Sequence, residues 1–181
     1  MKIVILDEAT LNRKERIRNL LESYGDIKIY PRIESEHGTE NYKKEIIEKI
    51  ADAEIVITNK AIIDKEVMDQ CKNIKYIGVT ATGYDVVDIQ YAREKNIVVT
   101  NVPAYSSQSV AQMTMALILE LTNKVGLYNK SVHDGEWCNT KDFCYFKSPI
   151  IGLAGKTIGL IGYGGIGVAP AKIAQAFGMK V

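Results

Sequence analysis

The residues best suited to chemistry in this 181-residue chain lie close to its end, in the run Lys156-Thr157-Ile158-Gly159-Leu160-Ile161-Gly162-Tyr163-Gly164-Gly165-Ile166-Gly167. An apolar stretch of strand character turns through Gly-x-Gly-x-x-Gly into a segment of helical character, a pattern suited to the pyrophosphate of a dinucleotide. The first glycine makes the tight turn and the second lets the backbone approach the phosphates. The third allows helix and strand to pack closely, while the helix N-terminus faces the anion. The pattern assigns these contacts to Gly162, Tyr163, Gly164, Gly165, Ile166 and Gly167. A complete site of this kind takes an acidic residue about 20 positions further on, at the end of the next strand, to hold the ribose hydroxyls. The chain ends 14 residues after Gly167, and Met179-Lys180-Val181 reads as the start of that strand, so the sequence is expected to be cut within the cofactor-binding domain.

No other cluster of reactive side chains declares itself. Cys71, Cys138 and Cys144 are odd in number and stand at no metal-ligand spacing, which in a reducing compartment means free thiols and no metal site. His37 and His133 are the only histidines, and neither lies in a pattern that pairs it with a nucleophile or carboxylate. His133, in Val132-His133-Asp134-Gly135-Glu136-Trp137, reads as a surface-loop histidine, with titration in a cleft as the other possibility.

Composition narrows the class. With 46% hydrophobic residues the chain can bury one good core and part of a second. Its 23 basic and 22 acidic side chains are spread along the sequence and give no reason to expect nucleic acid or an anionic membrane as partner. The apolar run at Met1-Lys2-Ile3-Val4-Ile5-Leu6-Asp7 is too short for a signal peptide or membrane span and reads as a first buried strand, so a cytoplasmic protein is expected.

The elements that must position any site follow from periodicity. Ile3 to Leu6, Ile27 to Tyr30, Ile55 to Thr58, Tyr76 to Val79 and Ile97 to Thr100 read as strands. Asn12 to Tyr24 and Tyr42 to Ala51 carry apolar residues at helical spacing. Asp64 is a candidate N-cap for a helix over Lys65 to Cys71, and Asp85 or Asp88 for a short helix ending near Lys95. Gly25-Asp26 and Lys95-Asn96 supply turns between helix and strand. This alternation predicts an α/β fold with a mostly parallel sheet over residues 1–100.

Beyond Pro103, Ser106 to about Lys130 reads as one long helix, with Ser109 and Gln112 at capping-box spacing. Its apolar positions, among them Val110, Met113, Met115, Leu117, Ile118 and Leu121, form too broad a face for a simple surface helix and predict burial against another domain or subunit. Ser131 to Ala154 reads as loop, leading into the strand before Gly162.

Four segments in order resemble the NAD-dependent D-2-hydroxyacid dehydrogenases, most closely the glycerate dehydrogenase or hydroxypyruvate reductase branch. They are Thr58-Asn59-Lys60, Gly78 to Asp88, Thr100 to Gln112, and Gly155 to Gly167, with Gly135-Glu136-Trp137 and Lys141-Asp142-Phe143-Cys144 between them. A lone Gly-x-Gly-x-x-Gly would be a weak signal, whereas this ordered set covers essentially the whole chain. The resemblance implies a flavodoxin-like substrate domain at 1–100. An incomplete Rossmann NAD-binding domain follows at 101–181 and includes an interface helix at about 106–130. It further implies a homodimer acting on a small 2-oxo or 2-hydroxy acid, without nucleic acid or membrane.

The same resemblance maps the substrate-carboxylate loop to Ala81, Thr82 and Gly83, where backbone N–H groups form an anion site without a charged side chain. The alternative is a strand-to-helix turn that needs Gly83 only for its backbone angle. Asn59 and Lys60 either line the substrate cleft, on the carboxyl edge where open α/β sheets bind ligands, or form a solvated strand end. Asn101-Val102-Pro103 is expected to be the interdomain hinge. Ser106 lies where the family approaches substrate and Ser107 where it approaches the nicotinamide, although a hydroxyl opening a helix is equally well explained as a cap.

The family's chemistry is hydride transfer between NADH and a 2-oxo acid, with a histidine as acid/base, an acidic residue orienting it and an arginine gripping substrate. All three lie beyond Val181, so no catalytic residue carries over. Two departures bear on the cofactor turn. Gly165 stands where relatives often have a longer residue over the pyrophosphate, and Pro170 falls about one turn inside the expected helix, costing up to about 3 kcal/mol unless that helix starts later. The sequence therefore reads as an inactive, truncated NAD(H)-dependent oxidoreductase for glycerate and hydroxypyruvate. The alternative is a noncatalytic dimerising or ligand-binding module derived from the same family.

Overall fold

The structure, a computed structural model, describes residues 1–11 and 14–181, and of residues 14, 15 and 17 the backbone only. The chain divides into two compact units, Met1–Pro103 and Ala104–Val181.

The first unit is built on five strands: β1 (Lys2–Ile5), β2 (Asp26–Ile29), β3 (Ile55–Thr58), β4 (Tyr76–Val79) and β5 (Val98–Thr100). All pair in parallel in the order β2-β1-β3-β4-β5, the flavodoxin-like arrangement. Register runs straight across the sheet, from Ile29 to Ile5, Ile57, Gly78 and Thr100. Helices α1 (Lys14–Glu22), α2 (Glu40–Ile50), α3 (Lys65–Gln70) and α4 (Ile89–Glu94) lie between consecutive strands. The helix expected from Asn12 begins among the described residues at Lys14; Asn12 and Arg13 lie outside them.

Side-chain caps explain where three of these helices begin. Thr39 accepts a hydrogen bond from the N–H of Tyr42, Asp64 from that of Val67, and Asp88 from that of Tyr91. Each satisfies an N–H that the first turn leaves without a helical partner. Asp88, not Asp85, is thus the cap of α4. Alternate strand residues Val4, Val56, Ile77 and Val79 share one core with Ile46 and Ile50 of α2, Val67 and Met68 of α3 and Ala92 of α4. Complete burial of a side chain such as Ile46 contributes about 1.5–3 kcal/mol.

The second unit departs from expectation in several places. The helix expected over residues 106–130 is two: α5 (Ser107–Asn123) and α6 (Val125–His133). Lys124 between them is left-handed (φ 55°, ψ 42°) and its N–H closes α5 on the Glu120 carbonyl. The Glu120 carboxylate accepts from the N–H of Gly126 at 3.0 Å and so satisfies the first turn of α6, a favoured place for negative charge. No capping box forms at Ser109 and Gln112, because the helix has already begun at Ser107. The expected loop from Ser131 is helical to His133 and again in α7 (Glu136–Asn139).

The expected strand before Gly162 and the one starting at Met179 are reduced to a single parallel bridge, Thr157 to Lys180. The N–H of Ile158 donates to the Lys180 carbonyl and that of Lys180 to the Lys156 carbonyl, both at 2.8 Å. Among the described residues no further strand extends this pair, and a two-stranded pair without neighbours is marginal in water. The final helix, α8 (Gly165–Ala176), packs on α5 and contains Pro170. Because α8 starts at Gly165, the alternative of a later start does not hold: Pro170 sits in the second turn and removes a helical donor there.

Candidate functional site

Four neighbouring strands of the first unit end on one edge of the sheet, and the residue or loop after each is hydrogen-bonded to the next. Asp7 follows β1 and is buried, with 5% of its surface exposed. Its Oδ2 accepts from Thr58 Oγ1 at 2.9 Å and from the N–H groups of Asn59 (2.6 Å), Lys60 (3.0 Å) and Ala61 (3.3 Å) at the end of β3. Asn59 Nδ2 reaches the end of β4, donating to Thr80 Oγ1 at 3.1 Å and to the Thr80 carbonyl at 3.4 Å. Asn101, after β5, donates from Nδ2 to the Thr82 carbonyl at 2.8 Å.

These ties fasten the loop Ala81-Thr82-Gly83 from both sides. The Ala81 carbonyl accepts from the N–H of Val102 at 3.0 Å, Thr82 Oγ1 donates to the Val102 carbonyl at 3.1 Å, and the Ala81 side chain packs on the core. The N–H groups of Ala81, Thr82 and Gly83 meet no acceptor among the described residues. A loop whose carbonyls are tied back and whose N–H groups are free presents donors to an anion. Gly83 is not left-handed, so backbone angle does not reserve the position for glycine; a Cβ there would stand 3.1 Å from Asp85 Oδ1.

Asn59 is therefore part of this arrangement through its side chain, whereas Lys60 enters only through its backbone. The Lys60 N–H is spent on Asp7, its carbonyl accepts from the Tyr42 hydroxyl at 3.4 Å, and its side chain is exposed. Burial pushes the Tyr42 phenol above its ordinary pKa and keeps it a donor. Sequence reasoning missed Asp7, which read only as the residue after a buried strand. The available signal was a carboxylate immediately following an apolar run, where burial demands partners.

In the second unit, Ser106 has helical backbone angles and makes no capping hydrogen bond, and Ser107 is buried with no partner for Oγ among the described residues. The capping explanation for these hydroxyls does not hold. Gly162 is left-handed (φ 96°), a conformation that costs other residues. A Cβ on Gly167 would overlap the Gly162 carbonyl oxygen, so turn and helix meet with no room for a side chain. Gly164 and Gly165 face open space, α8 has no side-chain N-cap, and Tyr163 and Ile166 are exposed beside it. Open backbone at an uncapped helix N-terminus fits a dinucleotide pyrophosphate, with Gly164, Gly165, Ile166 and Gly167 supplying the N–H groups.

Among the described residues neither histidine makes a hydrogen bond or ion pair with a carboxylate or nucleophile. His37 lies against Tyr42, ring centroids 5.0 Å apart, and His133 is exposed in the last turn of α6. Among the described residues no three His, Cys, Asp or Glu side chains gather as metal ligands. No described helix is long and apolar enough to cross a membrane.

Comparison with known proteins agrees with this architecture. The chain is 46% identical over 181 residues to a hydroxypyruvate reductase of Blautia hydrogenotrophica, covering all of this chain and 55% of that protein. It is 36% identical over 180 residues to a glycerate dehydrogenase of Methylorubrum extorquens, covering 99% of this chain and 54% of the relative. An acyclic imino acid reductase solved in complex with NADPH and D-Arg superposes with a TM-score of 0.77 at 30% identity, over all of this chain and 55% of that one. The chain thus spans about half the length of the relatives it matches. The model of the D-isomer specific 2-hydroxyacid dehydrogenase catalytic domain matches residues 3–175, and with that match the chain belongs to the D-isomer specific 2-hydroxyacid dehydrogenase family.

Proposed function

We propose that the chain supplies the substrate-carboxylate loop and the pyrophosphate turn of an NAD(H)-dependent oxidoreductase that interconverts a 2-hydroxy acid and a 2-oxo acid, glycerate and hydroxypyruvate being the pair. On this reading residues 1–100 are the substrate domain and 101–181 the first part of the cofactor domain. The observation that carries it is the loop Ala81-Thr82-Gly83, in which the Ala81 and Thr82 carbonyls are tied to Val102 and Asn101 while the three N–H groups meet no acceptor among the described residues. The similarity to a hydroxypyruvate reductase and a glycerate dehydrogenase favours this substrate pair.

The chain's own residues have distinct tasks. The N–H groups of Ala81, Thr82 and Gly83 hold the substrate carboxylate, and Asn59 keeps the neighbouring Thr80 in place. The hydroxyls of Ser106 and Ser107, the candidates for the substrate and the nicotinamide, are free of capping duty. The turn Gly162 to Gly167 binds the pyrophosphate. When bound, the nicotinamide supplies the hydride. The proton must come from a group other than His37 or His133, so the 181 residues by themselves bind without turning over. Three unpaired cysteines, two of them exposed, suit the cytoplasm.

Self-association as a homodimer is supported by α5, where Met113, Leu117 and Leu121 are exposed.

Titration of the ¹⁵N-labelled chain with D-glycerate tests the carboxylate loop. Saturable shifts centred on the amides of Thr82 and Gly83 are expected, with no NADH oxidation when hydroxypyruvate is offered. Shifts centred elsewhere would remove the loop from the site. Turnover by the pure chain would mean that a proton donor is present which the structure does not single out.

A further inference from the structure

Asp7 lies outside the carboxylate loop and makes no hydrogen bond to it among the described residues, yet every donor that its carboxyl group gathers belongs to the segment that holds that loop. One oxygen, Oδ2, collects three consecutive N–H groups, Asn59, Lys60 and Ala61, together with the hydroxyl of Thr58. Three successive N–H groups converge on one point only if the chain wraps around the acceptor, so the carboxylate sets the path of residues 58–61. That path aims Asn59 Nδ2 at Thr80, and the N–H of Thr80 donates back to the Thr58 carbonyl at 2.9 Å. Thr80 is the residue before Ala81. The buried carboxyl group at the end of β1 is thus connected to the loop at the end of β4 through one intervening strand.

We propose that Asp7 is a positioning residue for the carboxylate-binding loop, acting through Asn59 on Thr80 and so on the N–H groups of Ala81 to Gly83. The inference rests on the proposed role of that loop. Its physical content is that a strand-end loop with free N–H groups must be held from outside to present them at a fixed spacing. Asn101 and Val102 hold it on the β5 side. Asp7, through Asn59, holds it on the β3 side. A neutral amide at position 7 keeps one oxygen able to accept from the same donors, whereas a methyl group keeps none.

The test compares the full 181-residue chain with Asp7→Ala, Asp7→Asn, Asn59→Ala and, as a destabilised core control, Ile50→Val. Each is followed by amide spectra and by D-glycerate titration. Asp7→Ala and Asn59→Ala are expected to move the amides of Thr80, Thr82 and Gly83 before ligand is added and to weaken D-glycerate binding about tenfold. Asp7→Asn is expected to recover most of the affinity. Ile50→Val is expected to melt earlier and bind like the wild type. Unchanged Thr80 to Gly83 amides in Asp7→Ala, or equal losses in Asp7→Ala and Ile50→Val, overturn the inference. Should Asp7→Ala fail to fold, Asn59→Ala and Asp7→Asn decide by the same readouts. If the wild type binds no D-glycerate, the carboxylate reading of the loop fails, and the positioning role is judged by the ligand-free amide shifts alone.

Discussion

Gly167 packs against the carbonyl of Gly162 so closely that no side chain fits between them. The contact joins the two outer glycines of the turn and brings the N-terminus of α8 onto the preceding chain. Gly167→Ala must push helix and turn apart, at a cost of about 1–3 kcal/mol. Gly165, with nothing near its missing Cβ, should accept alanine with a gain of up to about 1 kcal/mol. Amide exchange of α8 in the two variants checks this pair. Equal protection in both would show that the close approach does not constrain the turn.

Cys71 is buried, and its burial pushes the thiol up to about 11, so at pH 8 it is held as the unreactive thiol. Cys138 and Cys144 are exposed. Brief alkylation at pH 8 followed by peptide mass spectrometry should label Cys138 and Cys144 fully and leave Cys71 unmodified until the chain is denatured. Early labelling of Cys71 would mean that the core between α2 and α3 opens far more readily than its packing implies.

Glu45 on α2 accepts from the N–H groups of Glu34 (2.9 Å) and Ser35 (2.8 Å) and from Lys49 Nζ (2.5 Å). Desolvation raises its pKa, but Lys49 and those N–H groups outweigh it and bring the value to about 2, against an ordinary 4.5. A carboxyl lowered by folding contributes stability that is fully present above its unfolded pKa and is lost as pH falls through the folded one. Glu45→Gln should therefore cost about 1 kcal/mol at pH 7 and progressively less between pH 5 and pH 2. Denaturant midpoints across that range provide the check; a constant difference would deny the charge its role.

Met113, Leu117 and Leu121 recur at four-residue spacing on α5, on one exposed stripe, while Ala111 and Met115 are buried. If that stripe is the proposed dimer interface, replacing Leu117 and Leu121 with aspartate should convert a dimer into a 20.1 kDa monomer, each buried leucine having contributed about 1.5–3 kcal/mol. Sedimentation at micromolar concentration would count against the interface if the wild type were already monomeric.

Local chemistry made the first unit legible in the sequence. The five strands announce themselves as short β-branched runs, and Asp64 and Asp88 begin α3 and α4 because a side-chain oxygen three residues ahead of an N–H is a local device. The glycine turn was equally readable, since Gly162 and Gly167 are required by backbone geometry within six residues. Tertiary context decided the rest. Helical periodicity runs unbroken past residue 124, and only the left-handed Lys124 with the Glu120 carboxylate on Gly126 divides α5 from α6. A strand pattern at Ile158 to Ile161 became one bridge because a ladder depends on its neighbours and not on its own residues. Family resemblance pointed to Ala81, Thr82 and Gly83, but the residues that restrain them, Asp7, Asn59 and Asn101, stand 18 to 76 positions away in sequence. Only the parallel order of β1, β3, β4 and β5 brings those side chains to a common edge, because hydrogen bonds between strand ends are set by which strands are neighbours.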